Sequence, residues 1–327
     1  MRLNQLRDFI AIADHGSLRA AARQLDASAP ALVKSIALLE KELQVPLLVR
    51  GSRGMRLTEY GHALLQRARL IDAETRKAKE TIEQLRGNLE GSVTVGASAT
   101  PGVVLVPEAL VELHKTLPAV RINIVSGIYR NHIDAIRSGR MDFAITATPA
   151  DGIDPDVVSE DLFRNDLVVA GRRGHPLAKA RSLAELVDCG WVVTGPDPEG
   201  PGAAILEAFR RHGLKAPRVA AQCDLGWVLD SVLLKTDLLC ALPRLFFDRL
   251  DLKSRLQPIE IDEPLPSYCI SLIRSAAAPL LPSAERFETL LRRHAAYLTQ
   301  AHAELALGAK PAPGAKRLGK RRVSSHE

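Results

Sequence analysis

The chain has 327 residues, 46% hydrophobic, 25% charged and 4% aromatic, with a formal net charge of +6. This length predicts about two domains with a sizeable core. With no apolar run long enough to span a bilayer and no signal-peptide profile, the composition argues against a membrane role and for a cytoplasmic location. The charge is not in itself a nucleic-acid signature: Lys310, Lys316, Arg317, Lys320, Arg321 and Arg322 against Glu327 supply +5 of it, in a Gly/Pro/Ala/Lys stretch that reads as a disordered basic tail over 306–327.

The first predicted helix carries Leu3, Leu6, Phe9, Ile10 and Ala13 on one face. Ser17 can cap a second helix, whose Leu18, Ala21, Ala22 and Leu25 share a face and whose small residues admit a close neighbour. Asp26 and Ser28 supply turn and cap chemistry, and Pro30 fits the first turn of a third helix. There Leu32, Ile36, Leu39 and Leu43 form the buried stripe, while Ala29, Val33, Lys34 and Ser35 point elsewhere. Three short helices with a tight second turn fit a helix-turn-helix, whose last helix reads a DNA major groove. Two extended runs around 45–58 then form a wing, with Arg50, Arg53 and Arg56 placed to meet phosphates or a minor groove. The candidate DNA contacts are thus Ser28, Ala29, Val33, Lys34, Ser35, Arg50, Arg53 and Arg56. An ordinary helical hairpin with a solvated basic loop is the alternative.

From Glu59 to about Leu85 a long helix is predicted. Leu64, Ala68, Ile71, Thr75, Ala78, Ile82, Leu85 and Leu89 recur at steps of four and three, a heptad seam that calls for a second copy. Gly87 and Gly91 end it. The alternative is a helix packed on its own domain.

From Gly91 strands and helices alternate, which predicts parallel α/β lobes. Strands are expected at 92–97, 121–126, 142–146, 167–170, 191–194, 219–223, 238–242 and 267–273. Helices are expected at 101–114, 132–138, 203–212, 227–234 and 283–305. The first lobe covers about 91–162 and 268–305, the second about 163–267, with a hinged cleft between them. Ligands sit beyond the carboxyl ends of such strands. That rule marks Ser98, Thr100, Pro101, Gly102, Ser126, Gly127, Ile128, Thr146 and Thr148 in the first lobe, and Thr194, Gly195 and Asp224 in the second. Ser98 and Thr100, beside free helix N–H groups, suit an anionic group such as a carboxylate or sulfonate. The alternative for each hydroxyl is a helix cap.

Cys189, Cys223, Cys240 and Cys269 are scattered and read as buried free thiols, not as a metal or disulfide framework. The histidines lack metal spacing. There is no G-x-S-x-G, P-loop or G-x-G-x-x-G, so neither catalysis nor a cofactor is expected.

The arrangement resembles the LysR-type transcriptional regulators. It is carried by Gly16-Ser17, Ala21-Ala22, Leu25, Pro30-Ala31, Ile36, Leu39-Glu40, Leu43, Val45-Pro46-Leu47, Arg50, Leu57-Thr58 and Gly61, and its layout extends over nearly the whole chain. The resemblance implies an N-terminal all-α winged helix-turn-helix (1–58), a dimerising linker helix (59–90) and a two-lobed α/β effector domain like type 2 periplasmic binding proteins (91–305). It also implies a dimer pairing into a tetramer on double-stranded DNA, a small organic effector between the lobes, most directly at Ser98 and Thr100, and contact with RNA polymerase. Four positions depart from the family pattern: Ala29 stands where relatives commonly have Gln, Val33 where they have Ser, Gln44 where they often have Gly, and Leu48 where they often have Phe. Ala29 and Val33 can meet a thymine methyl but cannot donate to a base edge. The competing reading is a small-molecule-binding protein with a vestigial or nonspecific DNA head.

Overall fold

The computed structural model describes residues 1–51, 54–87, 90–149, 152–195, 201–223, 226–249 and 252–308. Leu89 of the seam, Arg53, Asp224 and the basic tail beyond 308 lie outside the described residues.

Helices α1 (Leu3–His15), α2 (Leu18–Gln24) and α3 (Ala29–Leu43) build the first module. Their starts are local chemistry: Ser17 accepts from the Ala20 N–H and Ser28 from the Ala31 N–H, and Pro30 stands in the first turn of α3. Leu6, Phe9, Ile12, Ala21, Ala22, Leu32, Ile36 and Leu39 make the core. Leu43, expected in the buried stripe, is 37% exposed, because α3 runs past the helices that cover its earlier turns.

Strands β1 (Leu48–Gly51) and β2 (Gly54–Leu57) pair antiparallel as a wing. Glu40 fastens it: one carboxylate oxygen accepts from the Leu47 and Leu48 N–H groups at 2.7 and 3.1 Å. The wing meets the start of α4 (Glu59–Leu85) so closely that a Cβ on Gly61 would lie 2.2 Å from the Leu47 carbonyl oxygen. Gly61→Ala is therefore expected to push the helix off the wing and destabilise the module by roughly 1–3 kcal/mol. A thermal melt of the full chain checks this, and an unchanged transition would show that the joint yields freely.

Helix α4 is fixed along one face. Leu65 and Ala68 enter the first module's core, while Arg7 pairs with Asp72 at 2.6 Å and Arg69 with Asp14. Further along, Ala73 abuts Gly139, Lys77 Nζ lies 2.8 Å from Asp142 Oδ1, and Gln84 exchanges two hydrogen bonds with Ser283. The opposite face carries the later part of the heptad seam and is bare: Ile71 is 40%, Ile82 56% and Leu85 73% exposed. The helix thus packs on its own domain along one face, as the alternative reading has it, and leaves the later seam exposed.

Beyond it come β3 (Gly91–Ala97), α5 (Ala99–Val104), α6 (Val106–Thr116), β4 (Val120–Ser126), α7 (Tyr129–Arg137), β5 (Phe143–Ala147) and β6 (Val157–Asn165). The second lobe follows with β7 (Leu167–Arg172), β8 (Gly190–Val193), α8 (Pro201–Arg211), β9 (Arg218–Gln222), α9 (Gly226–Lys235), β10 (Cys240–Pro243), α10 (Arg244–Arg249) and β11 (Leu256–Ile259). The chain then returns through β12 (Tyr268–Ser275) and α11 (Pro282–Gly308).

The first lobe is a five-stranded sheet in the order β4-β3-β5-β12-β6. Its α6 and α11 cover one face around Leu113, Phe143 and Phe287. In the second, β10-β7-β11 form one sheet and β8-β9 a parallel pair, joined through a Trp191–Leu239 bridge.

Three expectations change. The sheets are mixed, not parallel: β12 runs antiparallel to β5 and β6, and β7 antiparallel to β10 and β11. These reversals arise where the chain passes between lobes, and β6 and β11 lack the apolar runs that betray central strands. The helix expected over 101–114 is two helices broken at Leu105, because Pro107 has no N–H to continue the first. Of the four thiols only Cys240 is buried; Cys189, Cys223 and Cys269 are partly exposed, at or beside strand ends where packing is incomplete.

Candidate functional site

Two regions gather the sequence-derived residues. On the first module, Val33 is 51% exposed, and Ser28, Lys34, Arg50 and Arg56 also face solvent, with Ala29 half-buried. Ser28 is at the same time the cap of α3. Ser35 is different: its hydroxyl donates to Asp8 Oδ2 on α1, so that hydrogen is already used within the module. Arg53 lies outside the described residues.

The second region is a cleft of about 1480 Å³ between the lobes. It is lined by Ser98, Thr100, Ser126, Gly127, Ile128, Thr146 and Thr148 from the first lobe and by Thr194 and Gly195 from the second. Pro101 and Gly102 do not line it: Pro101 is buried and the Gly102 N–H donates to the Ser98 carbonyl, so the chain there turns inward. Asp224 lies outside the described residues. Ser98 is not a side-chain cap of α5, which leaves its hydroxyl to the cleft.

The floor is an ordered set of neutral groups. Asn165, fully buried where the chain leaves the first lobe, donates from Nδ2 to Thr100 Oγ1 at 3.1 Å and to the Tyr268 hydroxyl at 3.2 Å. Burial pushes the Tyr268 phenol well above its ordinary range, so it stays protonated. Thr148 Oγ1 lies 3.0 Å from the Ser271 hydroxyl, which donates to Asp161.

The charges stand higher on the walls and are compensated. Arg137 on α7 grips Asp154 and Asp156, a pairing that raises its own pKa and lowers that of Asp156. Glu207 is held down to about 2 by Arg210 and Arg211. On the inner face of α7, His132 is 1% exposed, with neither ring nitrogen hydrogen-bonded, its ring against Gly96 and Gly127. Burial lowers its pKa to about 4, a main-chain approach from Val125 offsetting only part of this.

Sequence reasoning missed Asn165, Tyr268 and the second lobe's apolar wall of Leu229, Leu242, Pro243 and Phe246. The Asn165–Tyr268 pairing spans 103 residues, and no local pattern announces it. Among the described residues there is no metal-binding cluster, and no helix long and apolar enough to cross a membrane.

Comparison with known proteins covers both regions. The LysR substrate binding domain model matches residues 86–296, and that of the bacterial regulatory helix-turn-helix proteins of the lysR family matches 3–62. The HTH-type transcriptional regulator GbpR of Rhizobium radiobacter is 32% identical over 227 residues, 66% of this chain and 72% of that protein. The SDS degradation transcriptional activation protein of a Pseudomonas species is 27% identical over 295 residues, 88% of this chain and 95% of that one. Among solved structures, a full-length OxyR variant from Pseudomonas aeruginosa has a TM-score of 0.67 at 21% identity, covering 90% of this chain and 94% of its own. CbnR, a LysR family transcriptional regulator, has a TM-score of 0.65 at 21% identity, covering 90% and 99%.

Proposed function

The chain belongs to the LysR family of bacterial helix-turn-helix transcriptional regulators, and we propose on that premise that it binds operator DNA as a dimer, pairing into a tetramer, under control of a small organic effector. The division into a DNA head (1–58), linker helix (59–90), effector domain (91–305) and basic tail is part of this reading. So are a cytoplasmic location and contact with RNA polymerase.

The observation that carries it is the state of α3. Its inner face is closed by Leu32, Ile36 and Leu39, while Val33 and Lys34 project into solvent, as do the wing arginines Arg50 and Arg56. This suits insertion into a major groove with phosphates on either flank. Lys34 and Ser35 are the polar contacts and Ala29 and Val33 the apolar ones, Ser35 with its hydrogen committed to Asp8. The bare seam of α4 supports pairing, since exposed Ile82 and Leu85 gain burial from a second copy. Two linked heads would then meet two half-sites.

For the effector, the hydroxyl-lined first-lobe wall supports an anionic group held by neutral donors at Ser98 and Thr100. The ligand acts by preferring one lobe arrangement over the other.

Lys34→Ala is expected to weaken binding to a selected operator fragment about tenfold and to lower the salt slope by about one. Fluorescence anisotropy at several salt concentrations measures both, and unchanged affinity would remove Lys34 from the interface. Footprinting tests the reading as a whole. A discrete protected site is expected; uniform, sequence-independent binding would favour a small-molecule-binding protein with a nonspecific head, the reading to which apolar Ala29 and Val33 lend support.

A further inference from the structure

The chemistry of the effector follows from three features of the cleft, and this inference rests on the effector-binding reading above. First, Thr146 is 1% exposed and lines the cleft, yet its Oγ1 has no hydrogen-bond partner; half-buried Thr194, across the cleft, also has an unpartnered Oγ1. A buried hydroxyl left unpaired is costly, so a bound group that completes it gains affinity. Asn165 donates to the oxygens of Thr100 and Tyr268, and these two hydroxyls also interact with each other, so one hydroxyl hydrogen of the pair remains to be given. These are donors enough for one oxyanion, and hydrogen bonds to an ionised acceptor are about twice as strong as neutral ones.

Second, the arginines among the described lining residues are already engaged. Arg137 is held by Asp154 and Asp156, and Arg130 is engaged within the protein. Asp134 adds negative charge to the lining. Third, the wall facing the hydroxyls is apolar, built by Leu229, Leu242 and Phe246.

We propose that the cleft takes a monocarboxylate with an apolar body, its oxygens on Thr146 and the Thr100–Tyr268 pair and its body against Phe246 and Leu242. Molecules with a second negative charge are rejected, because that charge would be buried without a partner.

The test titrates the full-length protein with sodium benzoate, sodium octanoate, phthalate, succinate, glucose 6-phosphate and benzyl alcohol, followed by thermal shift and calorimetry. A ligand selective for the folded state raises its melting temperature. At least one of the two monocarboxylates is expected to bind ten times more tightly than phthalate, succinate and glucose 6-phosphate, with benzyl alcohol weaker still. Thr146→Val and Tyr268→Phe are each expected to weaken that binding at least fivefold, and their unliganded melting temperatures separate lost binding from lost folding. Phthalate or glucose 6-phosphate matching the monocarboxylates, benzyl alcohol matching them, or neither monocarboxylate binding at millimolar concentration would each overturn the proposal. So would full affinity in Thr146→Val. If the monocarboxylates fail while footprinting still finds a discrete site, the ligand class is wrong and the regulator reading stands; if no site is found either, both fall.

Discussion

Lys77→Met is expected to destabilise the effector domain by about 3 kcal/mol, the cost of breaking a buried ion pair from one side. The Lys77 and Asp142 side chains are 12% and 8% exposed, and Nζ lies 2.8 Å from Oδ1. The other Asp142 oxygen accepts from the Thr94 N–H at 2.8 Å, so the carboxylate is held in place and cannot turn to water when the ammonium is removed. Asp142→Asn should be similarly costly, since it strands the ammonium. The double variant Lys77→Met/Asp142→Asn leaves no unpaired charge, and Asn can still accept from Thr94. Its loss should fall well below the sum of the single losses, and the shortfall measures the coupling. Scanning calorimetry of the three variants provides the numbers. Additive losses would mean that lysine and aspartate do not stabilise one another.

The second large effect depends on pH. His132 ionises with a pKa of about 4 in the folded chain and near 6.5 when unfolded. Between these values the unfolded chain binds the extra proton, so stability is complete above about pH 6.5 and falls as pH drops towards 4. The 2.5-unit difference corresponds to about 3 kcal/mol at the acid end. Urea unfolding from pH 7 to pH 4 should show this slope. His132→Leu, a side chain that cannot charge, should flatten that part of the profile. An unaltered slope in the variant would assign the acid sensitivity to other groups.

Much of the DNA head was legible in the sequence because its signals are local. Ser17, Ser28 and Pro30 set helix starts within a few residues of themselves, and the stripe through Leu32, Ile36 and Leu39 needs only the helical period. The Ser35–Asp8 hydrogen bond was not legible, because Asp8 belongs to another helix 27 residues earlier. In the effector domain, the rule of strand ends located most of the first-lobe wall, since it depends only on where strands stop. Pro101 and Gly102 failed it because only Ala99 and Thr100 of α5's first turn reach the cleft, while Pro101 packs inward. Tyr268 and Asn165 were invisible because they meet by strand pairing across the whole second lobe. Phe246 stayed hidden because α10 is short, with no period long enough to register.

The one-sided fastening of α4 constrains how a signal can leave the cleft. The head is clamped to this helix by Arg7 and Arg69, and the first lobe by Ala73, Lys77 and Gln84, so the three form a single chassis. While those contacts hold, a swing of the second lobe cannot tilt the head of its own chain. On the proposed reading, the message would then pass outward, from the second lobe's surface to a neighbouring copy.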